Sequence, residues 1–464
     1  MRPRVPTLAL LTLLVLALVS AQVGTASAAP GRPGHDPGSQ PLPGYTVSNP
    51  PLAPLSVGGR RTRVLQGVHR HAAYDIEIPP HWNGRLVMWA HGYRGTGTVL
   101  TVDPPAYGLR QTFAEQGYAW AASSYDANAY DVRSGVLSTH DLLRFAGQQL
   151  PRKPQRTFIA GVSMGGHVIG RSLEQYPQDY DGALPMCGVL GDVKLFDFFL
   201  DYNLAAQTLA QHPAYPFPQD YLTRDVPAIQ AALGLTGLTP GGPDTTNDRG
   251  KQLRAVTINR SGGPRPGAEQ AFSVWKDFLF TLGQADNGGS LAANPGRVAQ
   301  NLSTTYVPDA PVPLNSTITR VAPRDPGSRR TRQLNATARI QGSPRVPVLT
   351  LHGLGDMFVP FSMEQLYRQK VAAHHRSGLL VQRAIRAAGH CEFTPREVGT
   401  AWNDLTRWVE ARGHRARQAA RPAGDVVDVP SVVARPAYGC RFTDPTGYAS
   451  PAQFPTRALF ARCP

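Results

Sequence analysis

The chain has 464 residues, of which 41% are apolar, and a formal net charge of +15. This length and apolar content allow a sizeable buried core. Nearly all of the positive charge is arginine, and the basic clusters at 60–63 and 329–332 lack interleaved aromatic residues, so the charge does not indicate a nucleic-acid-binding module. Weak attraction to anionic cell-surface polymers is left open.

The first 28 residues have the pattern of a secretory signal peptide. Two arginines precede an apolar run at 8–19, and the small residues that end at Ala28 form a cleavage site. The apolar run is too short for a comfortable membrane span, so we expect a secreted protein without a stable membrane anchor. Residues 29–54, rich in Pro and Gly, are predicted to be a flexible lead-in.

Residues 55–191 are predicted to form the first part of an α/β core. Partial alternation over 64–79 indicates antiparallel strands, and an apolar strand follows at 85–90. That strand ends in the Gly-rich loop 91–97, whose backbone N–H groups would be available to an oxyanion. We expect Tyr93 to supply one donor, and the alternative is an ordinary turn with an exposed tyrosine.

The segment Gly161-Val-Ser-Met-Gly165 lies between a short apolar run and a helical pattern. A sharp strand-to-helix turn requires small flanking residues and presents the serine hydroxyl clear of the backbone. The pattern therefore predicts that Ser163 is a nucleophile and that the N–H of Met164 is the second oxyanion donor. An ordinary Gly-rich turn is the alternative.

Residues 192–343 are more than a minimal core needs and are predicted to be a cap. Aromatic residues occur throughout 194–204 and at helix-like intervals over 269–282. Most of these should form the core of the cap, and some should face the site and shape its pocket. The stretches 237–250 and 292–342 show little periodicity and are predicted to be long loops, in part mobile.

Residues 344–415 are predicted to complete the α/β core. Asp356 follows a buried strand at 346–351, and His390 lies between an apolar strand at 378–385 and a helical pattern. A nucleophilic serine needs a base, and the base needs an orienting acid. Because both residues come after strand ends, at the edge of a parallel sheet where sites form, we predict that Asp356 and His390 complete a triad.

Four cysteines in an exported chain suggest disulfides, for which three connectivities exist. Cys440 and Cys463 share the tail 416–464 and are expected to close a small loop there. For Cys187 and Cys391, a bridge that pins the His390 loop and a pair of buried free thiols are both left open.

At these motifs the chain resembles the α/β-hydrolase superfamily, in particular its secreted bacterial members. The motifs are His91-Gly92, the 161–165 turn, His352-Gly353 with Asp356, and Gly389-His390. The resemblance covers about 60–190 and 344–413, and implies hydrolysis of an ester or amide through an acyl-enzyme. Such proteins are similar to esterases and more distantly to prolyl-oligopeptidase-type peptidases.

One departure concerns tannase-type and feruloyl esterases, in which a cysteine follows the base and its partner precedes the nucleophile. Val162 occupies that second place here, so the chain is not assigned to that family and a phenolic-ester substrate is in doubt.

We therefore predict an α/β-hydrolase fold with a cap, and a serine esterase without cofactor or metal that acts on a small-molecule or polymeric ester. A secreted peptidase or amidase and an acyltransferase would use the same triad. A non-catalytic binding protein is the alternative from another class.

Overall fold

The computed structural model describes residues 38–413 and 421–463. The predicted signal peptide, 1–28, lies outside the described residues, as do the first part of the predicted lead-in and 414–420 of the chain. Within the described ranges, every helix is too short or too polar to span a membrane.

A mixed sheet of eight strands forms the centre of the described chain. Its strands are β1 (Arg63–His69), β2 (Ala72–Ile78), β3 (Arg85–Ala90), β4 (Ala119–Ser123), β5 (Arg156–Val162), β6 (Gly182–Met186), β7 (Val348–Gly353) and β8 (Leu380–Ile385). They are ordered β8-β7-β6-β5-β3-β4-β2-β1. Strands β3 to β8 are parallel, whereas β2 runs antiparallel to β1 and β4. The predicted, mostly parallel central sheet is confirmed.

The α-helices of the described chain are α1 (Leu109–Glu115), α2 (Val132–Gln149), α3 (Met164–Gln175), α4 (Lys194–Ala210), α5 (Val226–Ala232), α6 (Asp248–Arg260), α7 (Ala268–Thr281), α8 (Leu314–Thr317), α9 (Pro326–Arg330), α10 (Ser362–Ala373), α11 (Pro395–Gly413) and α12 (Pro430–Val433). Helices α1 to α10 lie between strands of this sheet, and α11 and α12 follow its last strand. Two-residue strands also pair outside the main sheet, Thr46–Val47 with Val99–Leu100 and Ser56–Val57 with Arg60–Arg61.

Both faces of the sheet are covered, because side chains alternate along each strand. In β3, Leu86 and Met88 belong to the core that includes α2, α3 and α10, whereas Val87 and Trp89 belong to the core that includes α1 and α11. All four side chains are at most 2% exposed. A strand buried on both faces reads as the continuous apolar run seen in the sequence.

The chain between β6 and β7 holds α4 to α9 and includes the predicted cap region, 192–343. Its centre is α4, which is buried along almost its whole length and contacts α5, α6 and α7. An ion pair connects α4 to α9, since the Arg329 guanidinium lies 2.7 Å from a carboxylate oxygen of the buried Asp197. The short helices α8 and α9 interrupt a stretch predicted to be a long loop.

Candidate active site

The turn from β5 into α3 holds Ser163 in a strained backbone conformation. Its φ is 56° and its ψ is −122°, outside the regions that side-chain-bearing residues prefer. A Cβ built at Gly161 or Gly165 would lie only 2.2 or 2.1 Å from the Ala90 carbonyl oxygen. Glycine at both places is therefore a requirement of close packing between this turn and β3.

Ser163, His390 and Asp356 lie in one hydrogen-bonded row. The Ser163 hydroxyl is 2.8 Å from His390 Nε2, and His390 Nδ1 is 2.6 Å from Asp356 Oδ2. Asp356 is fully buried. Its other oxygen accepts the backbone N–H groups of Phe358 and Val359, each at 3.0 Å. These contacts fix the carboxylate so that it accepts from Nδ1–H and leaves Nε2 free to accept from the serine hydroxyl.

The loop after β3 lies directly against the serine. A Cβ at Gly92 would be 3.1 Å from Ser163 Cβ, so this glycine allows the loop to approach. Among residues 38–413 and 421–463, the backbone N–H groups of Tyr93 and Met164 have no acceptor. The two predicted oxyanion donors are therefore free to donate, and they lie on the two segments that meet at Ser163.

His91 stabilises the loop after β3. Its ring is buried, stacks on Tyr125 at a centroid distance of 3.9 Å, and donates from Nδ1 to the Gly92 carbonyl oxygen at 2.7 Å. The Tyr125 hydroxyl donates to the His91 carbonyl oxygen at 3.0 Å. Burial lowers the pKa of His91, so the ring stays neutral in this position.

Both cysteine pairs form disulfides. Cys187, which follows β6, bonds to Cys391, and Cys440 bonds to Cys463. The first bridge joins the residue beside His390 to the central sheet, and the Tyr107 hydroxyl also donates to the Cys391 carbonyl oxygen at 2.8 Å. The alternative of buried free thiols is therefore excluded in this structure. Of the described residues, only Cys187, His390 and Cys391 are grouped closely enough for a metal ion, and the bridge leaves that group no thiolate.

The C-terminal segment supports the same loop through residues that the sequence analysis missed. The Thr456 hydroxyl oxygen accepts from the N–H groups of Ala388 and Gly389 at 2.7 and 2.9 Å. The fully buried Arg457 is 2.8 Å from a carboxylate oxygen of Glu397 on α11. No spacing or composition marked these contacts, because they join residues that are 60 to 68 positions apart in the sequence.

Arg265 supports the loop that holds Asp356 and was also missed. This side chain, 6% exposed, reaches from the cap and donates through Nε to the Leu354 carbonyl oxygen at 2.5 Å. Burial lowers its pKa to about 10, which still leaves the guanidinium charged near neutral pH.

A cavity of about 220 Å³ opens from Ser163 into the cap. Its aromatic lining is Tyr93, Tyr130, Phe196, Phe199, Tyr215, Phe217 and Phe358. Two of these come from α4, and Phe358 packs edge-on against the His390 ring at 5.0 Å. Trp275 and Phe278, on α7, contact Phe358 but are not among the residues that line the cavity. The pocket suits a planar, apolar group near the serine.

The chain is similar to an o-phthalyl amidase of Xanthobacter agilis, with 37% identity over 391 residues; the match covers 71% of this chain and 83% of the amidase. It is also similar in structure to an esterase and to feruloyl esterase B, both of Aspergillus oryzae. Each has 15% identity and covers 79% of this chain and 81% of its own, with TM-scores of 0.44 and 0.40 respectively. No family model matches the chain.

Proposed function

Because the chain belongs to the α/β-hydrolase superfamily, in one family with the o-phthalyl amidase, we propose that it is a serine hydrolase acting through an acyl-enzyme at Ser163. The observation that carries the proposal is the hydrogen-bonded row from Ser163 through His390 to Asp356, at 2.8 and 2.6 Å, at the mouth of an aromatic cavity. A nucleophile, a base and an orienting acid are the groups that acyl transfer requires.

His390 Nε2 takes the proton of the Ser163 hydroxyl as its oxygen attacks the substrate carbonyl. Asp356 holds the Nδ1–H tautomer and stabilises the imidazolium that forms. The developing oxyanion accepts hydrogen bonds from the N–H groups of Met164 and Tyr93. His390 then protonates the leaving group, and a water molecule activated by the same ring hydrolyses the acyl-enzyme.

The scissile bond is a carboxylic ester or a carboxamide. The sequence analysis favours an ester, whereas the name of the amidase relative favours an amide of an aromatic acid. The aromatic lining supports an aromatic acyl group in either linkage. Hydrolysis of either bond proceeds through the same acyl-enzyme. The two reactions differ in how much departure of the leaving group depends on protonation by His390.

Matched p-nitrophenyl benzoate and benzoyl p-nitroanilide distinguish the two linkages, because only the leaving atom differs. Fluorophosphonate labelling with peptide mapping is run on the same samples, with Ser163→Ala as the test variant and the exposed Ser303→Ala as its control. We expect labelling only at Ser163 and turnover of one or both substrates. Folded protein with neither labelling nor turnover would contradict the proposal and favour a binding protein on this fold.

We also propose that the protein is secreted. The basic and apolar pattern of the first 28 residues supports export, and two disulfides are compatible with an oxidising compartment. Mass spectrometry of the extracellular protein should find Ala29 as its first residue. A cell-associated protein that retains Met1 would refute export.

A further inference from the structure

A second buried histidine lies behind the turn that holds Asp356. His352, near the end of β7, is fully buried, and its Nε2 donates to the Val359 carbonyl oxygen at 2.8 Å. The Val359 N–H in turn donates to Asp356 Oδ1 at 3.0 Å, and Asp356 Oδ2 is 2.6 Å from His390 Nδ1. One continuous row of contacts therefore joins His352 to the proposed base.

Glu364, on α10, orients the His352 ring from its other side. One Glu364 carboxylate oxygen lies 3.5 Å from His352 Nδ1, and both side chains are fully buried. The second carboxylate oxygen accepts from the Thr350 hydroxyl at 2.6 Å and from the Gln382 side-chain amide. Donors on two neighbouring strands thus fix the carboxylate, and the carboxylate fixes the ring with Nε2 toward Val359.

The surroundings of His352 favour its charged form. Burial opposes a positive charge there, but the carboxylates of Glu364 and Asp356 outweigh burial and raise the pKa of His352 above its ordinary value. A charged imidazole donates from both ring nitrogens, so one ring serves the Val359 carbonyl and the Glu364 carboxylate together.

We propose that His352 is a positioning residue for the orienting acid: it holds the turn 356–359 so that one Asp356 oxygen stays directed at His390. This inference rests on the proposed acyl-enzyme at Ser163. Backbone N–H groups engage one oxygen of Asp356 and the base engages the other. If Val359 shifts, the first oxygen loses a donor and the carboxylate rotates away from the base. A misplacement of about 1 Å in a catalytic group costs up to about 100-fold in rate.

A purely structural role is the competing explanation. His352 would then only join β7 to α10, and its loss would lower stability without a specific effect on catalysis. Two amide substitutions separate the explanations, because each keeps one of the two ring donors. Glutamine places its nitrogen where Nε2 lies and keeps the bond to the Val359 carbonyl, whereas asparagine places its nitrogen where Nδ1 lies and keeps only the contact with Glu364. A positioning role predicts that the two variants differ in catalysis, and a structural role predicts that they do not.

The experiment compares the wild type with His352→Gln, His352→Asn and the matched control Val348→Ala, which changes another fully buried residue of β7. Urea unfolding measures the stability of each variant. Steady-state hydrolysis of p-nitrophenyl benzoate, or of benzoyl p-nitroanilide, measures kcat and KM separately. The rate of fluorophosphonate labelling at Ser163 measures how reactive the nucleophile is without reference to either substrate.

We expect His352→Asn to lower kcat and the labelling rate about 10- to 100-fold with KM nearly unchanged. His352→Gln should recover most of that loss, and Val348→Ala should be less stable than the wild type but equally active. Wild-type kcat in His352→Asn, or equal losses in both His352 variants, would overturn this inference alone. A folded His352→Gln with at least about 10-fold lower kcat would overturn it even if His352→Asn does not fold. Absence of both labelling and turnover in the wild type would instead overturn the proposed function.

Discussion

The disulfide between Cys187 and Cys391 should contribute more to stability than the one in the tail, because it closes a much longer loop. Its cysteines are 204 residues apart, against 23 for Cys440 and Cys463. Constraint of the unfolded chain grows with the logarithm of loop length, which gives about 5 kcal/mol for the long loop and about 3.5 kcal/mol for the short one. The long loop contains the whole predicted cap. Loss of the Cys187–Cys391 disulfide therefore gives the largest part of the chain more freedom in the unfolded state.

The perturbation is the double substitution Cys187→Ala with Cys391→Ala, and the matched control is Cys440→Ala with Cys463→Ala. Urea unfolding followed by tryptophan fluorescence measures the free energy of unfolding of each variant. We expect the first variant to be the less stable by about 1–2 kcal/mol, the difference between the two loop entropies.

The two variants should also differ in catalytic activity. Without the bridge, the His390 loop keeps the Tyr107 hydroxyl bond to the Cys391 carbonyl and the Thr456 bonds to its preceding amides. We therefore expect kcat/KM to fall about 10-fold, well short of abolition, since a shift of about 1 Å in a catalytic group costs up to about 100-fold. Equal or greater stability of the 187/391 variant, relative to the tail variant, would refute the loop-length reasoning.

Three further substitutions test local packing and charge. Gly165→Ala would put a Cβ 2.1 Å from the Ala90 carbonyl oxygen, so kcat/KM should fall at least about 100-fold, and wild-type turnover would contradict the close-approach argument. Thr456→Val removes the acceptor of the Gly389 N–H and of the buried Ala388 N–H and should lower the unfolding free energy by about 2 kcal/mol, whereas Thr456→Ser should not. Burial lowers the pKa of His167 to about 4, so its contribution to stability is complete above about pH 6.5 and decreases toward pH 4, by about 3 kcal/mol in all. The difference between the free energies of unfolding at pH 7 and pH 4.5, measured with urea, should be smaller for His167→Gln than for the wild type. An unchanged difference would show that His167 does not cause this pH dependence.

Secondary structure around the site could be predicted from the sequence because its signals are local. A strand buried on both faces is a continuous apolar run, as at Arg85–Ala90, and a sharp turn into a helix needs glycine on each side of Ser163. Order along the chain and position after strand ends were enough to single out Asp356 and His390. The predicted α/β-hydrolase fold is confirmed on this basis.

Contacts between distant segments were decided only by the tertiary structure. This applies to the pairing of Cys187 with Cys391, to the support from Arg265 and Thr456, and to the aromatic lining of the cavity, because each depends on residues that no periodicity relates to one another. Backbone conformation follows from a residue's nearest neighbours, whereas burial and pairing of a side chain depend on which surfaces meet when the chain closes. The sequence by itself therefore singled out the candidate reactive groups of this protein, and only the folded chain decided what holds them and what shape the cavity beside them has.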